Sequence, residues 1–106
     1  MPALLSPSVA RNRLPILGVL RGLVDTWLRP GCPSKPVRVL EVASGAGEHA
    51  ACFCSQIPHL VYQPTEPDDA MAQSIICWTA DLQEPAQALS STVLPPLTLP
   101  VDELTG

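Results

Sequence analysis

Three carboxylates, Glu41, Glu48 and Glu66, are spaced around the glycine pair Gly45 and Gly47, with His49 just beyond it. The segment GAGEHA, Gly45 to Ala50, fits the pattern G-x-G-x-x-G/A, in which glycines allow a tight turn and close approach of the main chain to a nucleotide. Glu66 follows Gly47 by nineteen residues, the separation at which an acid commonly bonds ribose hydroxyls. Two glycines can also serve backbone geometry alone, and Glu48 can be an exposed first-turn acid favoured by the helix dipole.

The elements needed to position these groups are legible on either side. Val37 to Val42 reads as a strand apolar on both faces, the pattern of an interior parallel strand. Ala43 to Gly47 is the turn, Glu48 to Gln56 a short helix stopped by Pro58, and HLVYQ from His59 a second strand closed by Pro64. One β-α-β unit results, and the fold class is α/β, a partial Rossmann-like arrangement. Upstream, apolar residues from Ile16 to Leu28 recur at three- and four-residue spacings, so a helix is predicted over Pro15 to Leu28 with Pro15 in its first turn. Packing of its apolar face against a sheet is favoured over a membrane surface, because few cations accompany it. Residues 1–10 read as a flexible arm, 11–82 as the partial domain, and 83–106 as a proline-rich tail with a third strand at Leu97 to Val101. A further helix is predicted over Ala70 to Leu82.

Charge narrows the ligand. All six basic residues (Arg11, Arg13, Arg21, Arg29, Lys35, Arg38) precede Glu41; with Asp25 they give +5, against −9 from Glu41 onward, for a net charge of −4. A pyrophosphate at the turn would meet Glu48 and no cation, so NAD matches poorly. Nucleic acid, which draws on clustered cations, matches poorly too. A cationic ligand carrying a ribose fits better, and S-adenosylmethionine has a sulfonium, an ammonium and a ribose. The four cysteines, Cys32, Cys52, Cys54 and Cys77, read as reduced thiols of an intracellular protein, cytoplasmic or nuclear, and not as a zinc site through His49 and Cys52. The first 24 residues hold three arginines and no acid, so a mitochondrial presequence is the lesser alternative.

VLEVASGAGEHAA together with YQPTEPD resembles motif I and the following acidic motif of class I S-adenosylmethionine-dependent methyltransferases, of the methyltransferase-like 26 type. RNRLPILGVL, Arg11 to Leu20, resembles the segment preceding motif I there, and the likeness runs over about residues 9 to 76. The resemblance implies S-adenosylmethionine as cofactor. By it, Glu41, Ser44, Gly45, Gly47 and His49 would line the methionine and ribose side, Glu66 would hold the ribose hydroxyls, and Asn12 would lie near the cofactor. Ala43 stands where the commoner loop has its first glycine, and Asp102 would match an acid that meets adenine. The family's sheet has seven strands and its acceptor elements follow the fourth, so the chain corresponds to the cofactor half, a shortened form without a methyl-acceptor site. No catalytic base or acceptor is assigned. The alternative is a noncatalytic interaction module that uses the amphipathic helix and an exposed sheet edge, with self-association expected.

Overall fold

A computed structural model describes residues 7–82 and 91–98. The first helix, α1, spans Pro7–Leu23 and continues through one π-helical turn, Val24–Leu28. It starts eight residues earlier than the spacing predicts, because Pro7 takes the first-turn position assigned to Pro15; Pro15 lies in the helix interior. Pro7 to Ala10, expected in the flexible arm, are thus helical. Of the apolar stripe only Leu17 and Val24 are buried, with Leu20 packed beside them, whereas Ile16, Leu23, Trp27 and Leu28 are exposed. The helix packs mainly on another helix and not across the sheet. Buried Arg29 donates to the Lys35 carbonyl at 3.1 Å and pairs with Asp25 at 3.6 Å, fastening the proline-rich connection that follows.

Three parallel strands follow: β1 (Val37–Glu41), β2 (Leu60–Pro64) and β3 (Thr92–Val93), in the order β1-β2-β3. Val37 aligns with Leu60 and Glu41 with Pro64; Val61 aligns with Thr92. Helix α2 (Glu48–Gln56) links the first pair, and α3 (Asp69–Trp78) follows β2. Asp68 caps α3 by accepting from the Met71 N–H at 3.0 Å, and the helix predicted to Leu82 ends at Trp78, with a 3₁₀ turn at Ala80–Leu82. The mixed α/β fold is compatible with a partial Rossmann-like arrangement.

The third strand lies earlier than predicted. It is Thr92–Val93; of the predicted segment Leu97 bridges Thr65, and Leu99 to Val101 lie outside the described residues. Ser91 anchors it: its buried hydroxyl accepts from the Leu60 N–H at 2.8 Å and donates to the Ile57 carbonyl.

The core forms on one face of the sheet, where Val37, Leu60, Tyr62 and Val93 meet Leu17, Val24, Ala50, Phe53 and Ile57. The opposite face is open, a shallow hollow of about 430 Å³ lined by Arg38, Val39, Leu40, Val61, Gln63 and Leu94. Among the described residues β1 is therefore the edge strand, covered on one face, with Leu40 60% exposed. Its apolar residues anticipate two packed faces, and the described helices supply one.

Candidate functional site

The turn after β1 is built from backbone conformations that side chains rarely adopt. Ala43, Gly45 and Gly47 have φ of 54°, 68° and 105°. Gly47 is required sterically, since a Cβ there would lie 2.7 Å from the Cα of Ile75 in α3. Gly45 faces open space, so its need is conformational only. Ala43, in place of a glycine, carries the left-handed strain of an L-residue.

Thr65, at the end of β2, holds the turn. Its N–H donates to Glu41 O at 3.0 Å and Ser44 Oγ at 3.0 Å, its hydroxyl donates to Glu41 O at 2.8 Å, and its carbonyl accepts from Ser44 N–H at 2.7 Å. The Ala43 N–H reaches the Thr65 hydroxyl at 3.2 Å. Nothing in the sequence marks Thr65, because a threonine at a strand end has no distinguishing spacing.

Glu66 adds a second tie. One carboxylate oxygen accepts from the Gly45 N–H at 2.9 Å, the other from the Asp68 N–H at 3.0 Å. Each oxygen retains a second acceptor position, as a carboxylate offers about four. Glu66 is thus both a strut for the glycine turn and an acid at its rim.

Glu41 and His49 are brought together across the turn, Oε2 to Nδ1 at 3.8 Å. The imidazole stacks on Phe53 one helical turn later, centroids 5.2 Å apart at 14°. Glu41 Oε1 and His49 Nε2 are both buried without a hydrogen-bond partner. Burial raises the Glu41 carboxyl above the usual carboxylate value, offset in part by the nearby Ser44 hydroxyl, Tyr62 phenol and His49 ring. Burial, then the Glu41 charge, pushes the neighbouring Cys54 thiol up to about 12 and raises the Tyr62 phenol, so both stay protonated. Cys54 is therefore a core thiol and not a nucleophile. No cluster of three or more metal-ligating side chains occurs among the described residues.

Five of the expected site residues, Glu41, Ser44, Gly45, His49 and Glu66, converge on the turn, and Gly47 supports it through its contact with α3. Asn12 is exposed on α1. Glu48 differs from the exposed first-turn acid weighed above, as it is only 3% exposed. It lines a groove of about 460 Å³ between α1 and α2, with Arg13, Leu17, Arg21, Cys52 and Trp78 among its walls. Here the fold changes the charge reading, since Arg13 and Arg21 come from the basic half of the sequence to flank the acidic half. Among the described residues the turn is bonded to Glu41, Thr65 and Glu66, which leaves acceptor positions free on the Glu41 and Glu66 carboxylates.

No helix among the described residues is long and apolar enough to cross a membrane. No solved structure matches the chain. A family model described as a protein of unknown function, DUF938, matches residues 3–104, nearly the whole length, and the chain belongs to that family.

Proposed function

We propose that the chain is the cofactor-binding half of an S-adenosylmethionine-dependent methyltransferase-type fold, taking the cofactor across the β1–α2 turn. The observation that carries this reading is the buried, unpartnered Oε1 of Glu41 at the carboxyl end of β1. An acceptor in that position is costly unless a donor or cation completes it. Ligands of open α/β sheets bind outside the carboxyl ends of the strands, and the β1–α2 turn lies at that end of β1. The ammonium or sulfonium of the cofactor suits Glu41, and the remaining acceptor positions of Glu66 suit ribose hydroxyls. A pyrophosphate would meet these two carboxylates with no cation bonded to the turn. Among the described residues none is assigned to a methyl acceptor, so the proposal is limited to cofactor binding. An intracellular compartment belongs to the same proposal, in which Cys32, Cys52, Cys54 and Cys77 stand as free thiols.

Titration calorimetry with S-adenosylmethionine, S-adenosylhomocysteine and NAD tests it. The expected order is S-adenosylmethionine and its homocysteine product above NAD, with Glu41→Gln weakening the former by about tenfold, the scale of a hydrogen bond to a charged group. Equal or tighter binding of NAD, or an unchanged affinity in folded Glu41→Gln, would defeat it. The reading as an interaction module has its own support in the open sheet face and in the exposed Ile16, Val19, Leu23 and Trp27 of the first helical stretch.

A further inference from the structure

Glu41 and His49 face each other at 3.8 Å, Oε2 to Nδ1, with side chains only 19% and 20% exposed. With little water to screen them, the charge state of one acts directly on the other. The groups packed around the pair hold their own charges fixed. The Tyr62 phenol from β2 and the Cys54 thiol from α2 both stay protonated, raised by burial and then by Glu41. Glu66, across the glycine turn, commits one oxygen to the Gly45 N–H and the other to the Asp68 N–H. From α3 the residue against the turn is the apolar Ile75. Arg13 and Arg21 of α1 meet α2 in the groove at Glu48 and Cys52, whose walls include neither Glu41 nor His49.

With its proton on Nδ1, the neutral ring turns its N–H toward Glu41 and leaves Nε2 a bare acceptor. A second proton would create an N–H at Nε2, a buried atom with no partner to receive it. What favours the charged ring is therefore the Glu41 carboxylate. A ligand cation at Glu41 cancels that attraction and adds repulsion of its own. Resting on the cofactor reading above, we propose that a cation bound at Glu41 displaces the proton of His49, so that binding at the glycine turn releases up to one proton. His49 acts through Glu41: a charged ring occupies the carboxylate, and a neutral ring leaves it to the ligand. Affinity for a cationic ligand then rises with pH across the interval of about pH 5 to 8 in which histidine changes charge.

Calorimetry of S-adenosylmethionine in buffers of different ionisation enthalpy counts the released protons. The wild type should release a large fraction of a proton at about pH 6 and less at about pH 7.5, with affinity several-fold higher at the upper value. His49→Phe keeps a ring to stack on Phe53 and has nothing to titrate, so the release should be lost and the affinity should no longer rise with pH. His49→Gln should behave alike and carries the test if the phenylalanine variant does not fold. In proton NMR at about pH 6, saturating ligand should move the His49 ring signals of the wild type to their high-pH positions. Binding without proton release, release that persists in a folded His49 variant and so comes from Glu41, or ring signals that do not move with ligand would overturn the displacement alone. Failure of both S-adenosylmethionine and S-adenosylhomocysteine to bind would overturn the cofactor reading, and the displacement with it.

Discussion

Replacing Gly47 by alanine tests the glycine turn most directly, because the structure supplies both terms of its cost. The added Cβ would lie 2.7 Å from the Ile75 Cα and 3.2 and 3.3 Å from that residue's Cγ1 and Cβ. Ordinary contact begins at 3.4 Å, so the α3 main chain would have to retreat by about 0.7 Å. Overpacking of this kind costs about 1–3 kcal/mol. The φ of 105° adds left-handed strain of about 1–2 kcal/mol for an L-residue. The expected loss is about 3 kcal/mol, a large part of the ~5–15 kcal/mol that a domain possesses. In thermal unfolding followed by circular dichroism, it corresponds to a midpoint lowered by about 12–24 °C. Gly45→Ala is the internal control: its φ is 68° but a Cβ there meets nothing within 4 Å, so only strain of about 1 kcal/mol is expected. If the two variants lose the same stability, the contact with Ile75 contributes nothing and the packing argument fails.

Ala43→Gly should stabilise the protein by up to about 1 kcal/mol in urea unfolding, because relief of left-handed strain exceeds the added freedom of the unfolded chain; a loss of stability would contradict the strain. Glu41 predicts a pH dependence. Its carboxyl is raised above 4.5 in the folded state, chiefly by burial, so the folded protein holds this proton more tightly than the unfolded chain does. Stability is then full below that value and falls as pH rises through the folded pKa. Glu41→Gln should remove this decline and gain on the wild type toward neutral pH, and parallel stability profiles for the two proteins would refute the assignment. Ser91→Ala should cost about 2–4 kcal/mol in the same unfolding assay, since it strands the Leu60 N–H and the Ile57 carbonyl in the interior; a cost below about 0.5 kcal/mol would mean that water replaces the hydroxyl.

Strand, turn and helix around the glycines were legible because their signals are local: an apolar run, two glycines, then a short helix bounded by Pro58. β2 and α2 fall within one residue of their predicted limits for that reason. Positions decided by long-range contacts were not legible. Thr65 gains its role only when β2 lies beside β1, and Glu48 is buried only because α1 packs along α2. The start of α1 was misplaced because two prolines, Pro7 and Pro15, satisfy the same first-turn rule and the rule does not choose between them. β3 is two residues long, too short for periodicity, and depends on the Ser91 hydroxyl and the bridge at Leu97. The apolar residues on both faces of β1 predict two covered faces; sequence records that a face is apolar, whereas its cover depends on what packs there.

The Ser91 hydroxyl also orders events in time. The first amide of β2, Leu60, finds its partner thirty-one residues farther along the chain, and the Ile57 carbonyl thirty-four residues farther. During synthesis at roughly 5–20 residues per second, β1, α2 and β2 emerge while these two groups still lack the residue that completes them. For a few seconds, then, the nascent chain can form its glycine turn but not close the end of its sheet.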